Sequence, residues 1–248
     1  MSYVCVDGGQ TKTAVFVLDE TGECLSSWEQ GPLTTPSRPG ALEKFRSMVR
    51  DVCQRSSRGI EDAERTPSIP QSMCFSLTGY LEGDRRIPAL VEEEARKVLP
   101  GVERVHTIPD YVGNWAAATS GEPGVVVISG GGAVAYGRNE DGVSLRVGGW
   151  GHVLGDEGSG YWIGLQAIKA AMGSWSGVSG ETSLEEAVMQ RFDATTDLDL
   201  INCVYSGEAS DADIAKLVPL VVDHARDGDG VSDDILDWAA HHLTKISA

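Results

Sequence analysis

Residues able to hold a phosphate group follow the first predicted strand. Asp7 comes directly after the apolar run 3–6, and the sequence GGQTKT (8–13) comes after Asp7. Glycine amides and hydroxyl groups can hold a phosphate anion, while a carboxylate beside them can hold a hydrated Mg²⁺ ion. The same residues would also form an ordinary hairpin with a polar tip, and taken alone they fit that interpretation better.

A second glycine turn lies near the middle of the chain. The apolar run 125–128 is predicted to form a buried strand, and it leads into SGGGA (129–133). Strands predicted over 133–138 and 143–147 follow, and then the loop GGWGHVLGDEG (148–158) leads into a helix. Glycines let the backbone approach a ligand closely, and successive amides in such a turn form a concave anion site. This order of strands, turn and acidic loop predicts a site for a phosphate and a polyol.

A third candidate, Asp110, stands where a predicted strand (103–108) ends and a predicted helix (111–119) begins. An aspartate at this point is commonly the N-cap of the helix. It could also be a carboxylate at the mouth of a cleft, placed to take a proton from a substrate hydroxyl. Position alone favours the cap.

The composition limits the classes of function. The chain has 248 residues and a formal net charge of −17, so it lacks the basic surface that a nucleic-acid partner needs. Its five cysteines are odd in number and widely spaced, which predicts neither a disulfide framework nor a cysteine metal site. No signal sequence precedes the first strand and no apolar run has the length of a membrane span. We therefore expect a cytoplasmic protein with no nucleic-acid and no membrane partner.

The elements that must position these residues occur twice. Residues 1–30 and 124–149 each predict a strand, a glycine turn, a strand, a turn and a strand, and helices follow both. We therefore predict an α/β fold with two similar halves around a nucleotide cleft. The first half would span 1–110 and carry the first glycine turn, and the second would span 111–248 and carry the second turn and the acidic loop.

The motifs resemble those of the BadF/BadG/BcrA/BcrD-type ATPase family, and within it the N-acetylglucosamine kinases. The likeness is carried by DGGQTKT (7–13), by GGGA (130–133) and above all by GGWGHVLGDEGSGYW (148–162). It covers essentially the whole chain and implies the actin-like (ribonuclease H-like) fold of the actin/hexokinase/Hsp70 superfamily. It also implies ATP and Mg²⁺ as cofactors, and phosphoryl transfer from ATP to a hydroxyl of a small-molecule sugar or amino sugar.

The resemblance implies a role for each matching residue. Asp110 would be the catalytic base that takes the proton from the sugar hydroxyl, and Asp7 would hold Mg²⁺ through water. The residues that would line the ATP site are Asp7, Gly9, Thr11, Lys12, Thr13, Gly130, Gly131 and Gly132. The residues that would bind the sugar are Gly149, Trp150, His152, Asp156 and Glu157.

Three features depart from the family pattern. Gly131 and Ala133 replace a threonine and a serine in the second turn, so backbone donors remain there without the hydroxyls. The loop 32–39 lacks the asparagine that often touches the sugar, which bears on the preference for an N-acetyl group. After residue 147 only helices are predicted, including one over 211–225 that a proline should kink. We therefore expect a C-terminally truncated second half, weak ATP binding and a possible homodimer.

Two other functions stay open. A relative that binds a nucleotide or a sugar as a sensor, without turnover, would fit the altered second turn and the short C-terminal part. An ATPase that activates a radical dehydratase would need a cysteine-ligated cluster, which the scattered cysteines disfavour. An ATP-consumption assay against a panel of hexoses and hexosamines would separate the kinase from the sensor.

Overall fold

The chain forms two compact units in the computed structural model, which describes residues 1–9, 11–36, 41–58 and 69–248. The described residues divide into Met1–Gly121 and Glu122–Ala248. Gln10 of the first glycine turn and the later part of the proline-rich loop 32–39, from residue 37 onward, lie outside the described residues.

The first unit has an α/β architecture. Its described strands are β1 (Ser2–Gly8), β2 (Thr13–Asp19), β3 (Cys24–Gln30), β4 (Ser72–Leu77) and β5 (Arg104–Pro109), and its described helices are α1 (Ala41–Arg58), α2 (Arg86–Val98) and α3 (Asp110–Thr119). The described strands form a sheet in the order β3-β2-β1-β4-β5. β1, β2 and β3 are antiparallel neighbours, whereas β4 and β5 run parallel to β1. The actin-like fold predicted from the sequence is confirmed.

The alternation of side chains along the strands decides which face of this sheet is the core. Successive residues of a strand point to opposite faces, so Val4 and Val6 of β1 lie on the same side as Val15 and Val17 of β2. These four side chains are fully buried and belong to the same hydrophobic core as residues of α1 and α2. The core therefore covers one face of the sheet. Because β1, β4 and β5 run parallel, their carboxyl ends lie together at one end of the sheet.

The second unit begins with an antiparallel sheet and continues with helices. Its described strands are β6 (Gly124–Ser129), β7 (Ala133–Arg138) and β8 (Ser144–Gly148), in the order β6-β7-β8, and its described helices are α4 (Gly160–Trp175), α5 (Leu184–Arg191), α6 (Asp197–Ser206), α7 (Asp211–Ala215), α8 (Val218–Arg226) and α9 (Gly230–Ser247). The helices pack around a hydrophobic core, and α9 contacts β6, β7 and β8. Within the described ranges, none of the helices combines the length and the hydrophobicity needed to cross a membrane.

Two predictions about the second unit are corrected by the structure. The strand over 125–128 is not buried, because Val125 and Val127 are 61% and 43% exposed on the outer face of an edge strand. The helix predicted over 211–225 is two helices, α7 and α8, rather than one kinked helix. Pro219 lies in the first turn of α8, where the missing N–H leaves no helical hydrogen bond unmade.

Helix α3 explains where the first unit ends. From the sequence, the boundary is predicted after Asp110, at the start of this helix. In the structure α3 contacts β1, β4 and β5, so it belongs with the first unit and the division falls after Gly121. Gly113 permits this close packing, because a Cβ atom there would overlap the hydroxyl of Ser76 on β4.

Candidate functional site

Polar side chains collect at the carboxyl ends of β1, β4 and β5. Asp7 is the last residue but one of β1, while Thr78 and Asp110 directly follow β4 and β5. The strand register ends with Leu77 beside Pro109, so Thr78 and Asp110 follow neighbouring positions, and it places Asp7 beside Ser76, two residues before Thr78. In open α/β sheets, ligands bind outside the carboxyl ends of the parallel strands, so this edge is the candidate site of the first unit.

Asp110 is half-buried at the first residue of α3 and is not the N-cap residue of that helix. Pro109 is the N-cap residue of α3, and Asp110 begins the helix, where its Oδ1 accepts a hydrogen bond from the Tyr111 amide at 2.8 Å. Burial raises the pKa of the Asp110 carboxyl, and the charge of Asp7 adds to this rise, while hydrogen bonds from the Thr78 hydroxyl and the Tyr111 amide partly offset it. A carboxylate with a raised pKa binds a proton more readily than an exposed one, as a general base requires.

Backbone contacts fix Thr78 beside Asp110. The Thr78 amide donates to the Gly8 carbonyl at 2.9 Å, and the Thr78 carbonyl accepts from the Thr35 amide at 3.3 Å. Gly79 follows with φ of +73°, and a Cβ atom there would lie 2.7 Å from Thr35 Oγ1. Thr78 and Thr35 are not among the site residues predicted from the sequence. The Thr-Gly pair directly after a buried strand is the signal that could have found Thr78.

Gly9 and Thr13 stabilise the first glycine turn through hydrogen bonds within the protein. The Gly9 amide donates to the Lys12 carbonyl at 2.9 Å, which closes the connection between β1 and β2. The Thr13 side chain is fully buried, and its hydroxyl donates to the Gly31 carbonyl at 2.8 Å. The structure therefore corrects the expectation that the Thr13 hydroxyl lines the ATP phosphates, because that hydroxyl is buried and already has an acceptor.

Asp7, Thr11 and Lys12 lie at the surface of the same turn. All three are exposed, and the Lys12 ammonium group forms an ion pair with Glu29 on β3. An exposed ion pair of this kind contributes about 0–1 kcal/mol to stability, so it opens at little cost. A phosphate group could therefore draw Lys12 away from Glu29, and the predicted roles of these three residues stay predictions.

The buried carboxylate of Asp156 lies against the second glycine turn. Asp156 Oδ1 accepts a hydrogen bond from the Ala133 amide at 3.2 Å, and a Cβ atom on Gly132 would lie 2.8 Å from Asp156 Oδ2. Asp156 is buried and has φ of +66°, which L-residues rarely adopt. The Gly130 amide donates to the Gly132 carbonyl at 2.9 Å. Among the described residues, the amides of Gly131 and Gly132 have no protein acceptor. The turn thus offers two amides, with a carboxylate beside them.

Further hydrogen bonds join this turn to the start of α4. The Ser129 hydroxyl donates to the Gly158 carbonyl at 2.9 Å, and the Gly160 amide donates to the Gly130 carbonyl at 2.7 Å. Ser159 is the N-cap of α4 and accepts from the Trp162 amide at 3.1 Å. Asp156 is predicted from the sequence to belong to a separate sugar loop, whereas the structure brings it together with the predicted phosphate turn.

The loop between β8 and α4 displays aromatic side chains. Trp150 is 59% exposed, and a Cβ atom on Gly155 would lie 3.3 Å from the Trp150 ring. The His152 ring lies 4.8 Å from the Tyr161 ring, centroid to centroid, and His152 Nδ1 is 3.7 Å from an Asp211 carboxylate oxygen. Burial raises the pKa of Tyr161, and the charge of Asp211 adds to the rise. The loop thus offers a flat apolar face at Trp150, with polar groups nearby.

The other two predicted sugar ligands flank this face. The Gly149 amide donates to the Ala133 carbonyl at 2.8 Å, so the start of the loop is fixed to β7. Glu157 is exposed, and the residue after it, Gly158, has φ of +85° and packs against Ala239 and Leu243 of α9. Both ends of the loop are therefore anchored within the second unit.

The buried cysteines of this chain are poor candidates for a metal site. All five cysteines lie in the described ranges and are free thiols. Burial raises the pKa of Cys53 to about 12 and that of Cys74 to about 11, so both stay protonated at neutral pH and are poor metal ligands. In the described part of the chain, no group of three or more His, Cys, Asp or Glu side chains could hold a metal ion.

The chain is similar in sequence and in structure to known proteins. A family model described as the BadF/BadG/BcrA/BcrD ATPase family matches residues 4–248. An N-acetylmuramic acid/N-acetylglucosamine kinase of Clostridium acetobutylicum is 30% identical, over 98% of this chain and 77% of that kinase. An N-acetyl-D-glucosamine kinase of Dictyostelium discoideum is also 30% identical, over 97% of this chain and 76% of that enzyme. The solved structure of a candidate N-acetylglucosamine kinase from Chromobacterium violaceum superimposes with a TM-score of 0.78 at 25% identity, covering 99% of this chain and 81% of the other.

Proposed function

The chain belongs to the BadF/BadG/BcrA/BcrD ATPase family, and on this premise we propose that it phosphorylates an amino sugar with ATP. Two relatives that are 30% identical over nearly the whole chain are named as N-acetylglucosamine kinases, and the name of one of them also includes N-acetylmuramic acid as a substrate. These names support an N-acetylated hexosamine as the acceptor. The reaction would transfer the γ-phosphoryl group of ATP to a hydroxyl group of that sugar.

The observation that carries the proposal is the half-buried Asp110 at the carboxyl edge of the sheet, next to Asp7. In phosphoryl transfer the acceptor oxygen bonds to the γ-phosphorus while the bond from that phosphorus to ADP breaks. The acceptor hydroxyl loses its proton in this step, and ADP leaves with the electron pair. We assign Asp110 as the base that receives the proton, because burial raises its pKa and its Oδ1 is already oriented by the Tyr111 amide.

Asp7 has the chemistry that a hydrated Mg²⁺ ion prefers. Its carboxylate is exposed at the end of β1, and Mg²⁺ in proteins keeps several waters and binds through one or two carboxylates plus substrate phosphates. The residues present therefore fit the ion. When bound, Mg²⁺ would neutralise charge on the ATP phosphates, and Asp7 would hold it through water. Thr11 and Lys12, exposed on the same turn, are proposed to contact the phosphates, with the Gly9 backbone beside them.

The second glycine turn is proposed to bind phosphate oxygens through its backbone. The amides of Gly131 and Gly132 are the donors that support this assignment, while Gly130 keeps the turn closed through its bond to the Gly132 carbonyl. The neighbouring Asp156 carboxylate opposes a bare anion, so the turn suits a phosphate whose charge a cation partly neutralises. This charge pattern is consistent with ATP in its magnesium form.

The loop after β8 is proposed to bind the sugar. An exposed indole such as that of Trp150 provides a flat apolar surface for the C–H face of a pyranose. Asp156, Glu157 and His152 supply acceptors or donors for ring hydroxyls, and the Gly149 backbone keeps the loop on β7. A buried carboxylate that loses its hydroxyl partner costs about 1–3 kcal/mol, so Asp156 would discriminate against a sugar without the matching hydroxyl.

The second turn also supports a second candidate function, ligand binding without turnover. Its residues carry no hydroxyl at Gly131 or Ala133, the Ala133 amide is taken by Asp156, and that carboxylate repels phosphate. A protein with these features could bind a sugar and respond to it while transferring phosphate slowly or not at all. The two functions differ in turnover, which a direct assay measures.

The test is an ATP-dependent phosphorylation assay with N-acetylglucosamine, glucosamine, N-acetylmuramic acid and glucose, with the sugar phosphate identified by mass spectrometry. We expect phosphorylation that depends on Mg²⁺ and is fastest with an N-acetylated hexosamine. Sugar binding by calorimetry without phosphate transfer would favour the sensor. The absence of both binding and transfer with all four sugars would refute the proposed substrate class.

A further inference from the structure

We propose that Cys5 and Cys74 form a dithiol pair that a small disulfide oxidant, such as oxidised glutathione, converts reversibly into an intramolecular disulfide. The first unit then carries a modification site besides the residues at the carboxyl ends of β1, β4 and β5. This site goes beyond the proposed kinase function and does not depend on it, because the bond itself is measured. The register of two neighbouring strands and the accessibility of both thiols support it.

Cys5 and Cys74 are paired residues of neighbouring parallel strands. The register of β1 and β4 sets Cys5 directly beside Cys74. Neighbouring strands lie about 4.7–4.9 Å apart, and the two Cα atoms of a disulfide are about 4.4–6.8 Å apart, so the strand spacing permits the bond. Among the described elements no other two cysteines are paired in this way, since Cys24 lies on β3, Cys53 on α1 and Cys203 on α6.

Both thiols point to the same face of the sheet, away from the hydrophobic core. The residues on either side of each cysteine belong to that core, namely Val4, Val6, Met73 and Phe75. Side chains alternate along a strand, so the two cysteines between these residues point to the opposite face. Both are half-buried free thiols, and both line one open depression in this face. A small oxidant can therefore reach the pair, and the thiols can meet without crossing the sheet.

The parallel arrangement predicts a strained bond between these two residues. Side chains at paired positions of parallel strands leave the backbone in nearly the same direction, so their Cβ atoms are separated by about the strand spacing of 4.7–4.9 Å. The Cβ atoms of an unstrained disulfide are about 3.5–4.5 Å apart, so β1 and β4 must draw together locally when the bond forms. Strain makes a disulfide easier to reduce, which is typical of regulatory rather than structural bonds. We therefore expect reduced glutathione to reopen this bond.

The reaction consists of two successive thiol–disulfide exchanges. The thiolate of one cysteine attacks a sulfur of oxidised glutathione, and one glutathione leaves with the electron pair of the broken S–S bond and takes up the proton that the cysteine released. The thiolate of the other cysteine then attacks the protein sulfur of this mixed disulfide, and the second glutathione leaves in the same way. Two protein thiols are oxidised, and one glutathione disulfide is reduced to two thiols. Burial raises the pKa of both cysteines, so thiolates are scarce and the exchange is slow at neutral pH.

The experiment incubates the full chain with oxidised glutathione for increasing times, blocks the remaining thiols by alkylation and maps disulfides by mass spectrometry after non-reducing proteolysis. We expect peptides linked through Cys5 and Cys74 to be the main intramolecular product, and reduced glutathione to reverse the link. Cys5→Ser and Cys74→Ser should each lose this product, whereas the matched controls Cys24→Ser and Cys203→Ser should keep it. Oxidation of the urea-unfolded chain should give mixed pairings instead, because the folded sheet sets the two thiols side by side.

The exposed Cys24 shows whether the reagent has acted, because it should form a mixed disulfide with glutathione whatever the state of the sheet. If Cys24 reacts while Cys5 and Cys74 stay reduced, or carry glutathione without a link between them, the dithiol pair is refuted. A link that excess reduced glutathione does not reopen would contradict its reversibility. Should a serine variant not fold, the peptide map of the wild-type chain alone decides between these outcomes. A lack of kinase activity in the same sample would count against the proposed function and leave this result unchanged.

Discussion

Replacing Asp110 by asparagine separates a catalytic base from a structural acid. Asparagine keeps the shape and a carbonyl oxygen that can accept from the Tyr111 amide, where the present bond is 2.8 Å, so the helix start should be preserved. It cannot take up the hydroxyl proton. A general base contributes about 10²–10⁴-fold to rate, so we expect kcat for sugar phosphorylation to fall by that factor. The loss corresponds to about 3–5 kcal/mol of activation free energy, while the Kd values of ATP and sugar stay within a few-fold.

The same substitution should change stability in the opposite direction. Burial raises the pKa of Asp110 in the folded state, and its charge lies beside that of Asp7. A group with a raised folded pKa contributes stability that is fully present below its unfolded pKa and is lost as the pH rises through the folded pKa. The asparagine side chain does not titrate, so the Asp110→Asn variant should gain thermal stability relative to wild type as the pH rises from acidic to neutral. Higher stability with lower activity is typical of a functional site.

The assay follows ADP release together with sugar phosphate, and calorimetry measures ligand binding. Asp197→Asn is the matched control, because Asp197 begins α6 and its Oδ1 accepts from the following amide, of Leu198, at 2.9 Å. It repeats the geometry of Asp110 without the burial. Turnover of Asp110→Asn within a few-fold of wild type would refute the base and leave Asp110 as an ordinary first-turn acid. Equal losses in both variants would point to a general effect on helix starts.

Three further substitutions test particular contacts. Asp156→Asn removes a negative charge beside the second glycine turn while keeping an acceptor for the Ala133 amide. We therefore expect calorimetry to show that ATP affinity rises, by about tenfold at most, and that sugar affinity falls. An unchanged ATP affinity would contradict this. Arg46→Met removes the guanidinium group that lies 2.9 Å from the fully buried Glu94 carboxylate. Because other cations remain near Glu94, we expect the free energy of unfolding, measured with denaturant, to fall by about 1–3 kcal/mol, less than for an isolated buried pair. No loss would show that the pair is dispensable. Asp229→Ala removes the N-cap of α9, so Tm should fall by the equivalent of about 0.5–2 kcal/mol. Hydrogen bonds from the Ser232 and Ser183 amides outweigh burial and lower the pKa of Asp229, so the deficit should shrink as the pH falls through that pKa, whereas a deficit independent of pH would refute it.

The sequence predicted the strands and turns of the first unit well, because their signals are local. Alternating valines mark β1 and β2, and Asp7 with the glycines after it marks the end of β1. Asp110 was found in the same way, as a polar residue where a strand gives way to a helix. Its two roles could not be separated from position, because burial and the charge of Asp7 come from residues distant in the sequence.

The errors have a common physical cause. The apolar run 125–128 predicts a buried strand, but burial depends on what covers a strand, and β6 is at an edge with Val125 exposed. The type and place of Thr13 predict a phosphate ligand, yet the return of the chain at Gly31 supplies an acceptor for its buried hydroxyl. In both cases the residue type was interpreted correctly and its partner was not, since partners at long sequence separation leave no local pattern.

The order of residue types along the chain is enough to predict the kinds of groups that this protein offers: two glycine turns, the aspartates Asp7, Asp110 and Asp156, and an aromatic loop. Which of these groups meet is a property of the fold. Parallel pairing of β1, β4 and β5 sets Thr78 beside Asp110, and the positive φ of Asp156 turns its carboxylate onto the Ala133 amide, 23 residues away in the chain. Both contacts depend on strand register and on backbone geometry between distant residues. A hydrogen bond requires its two atoms to lie about 3 Å apart, and only the folded chain fixes such a distance.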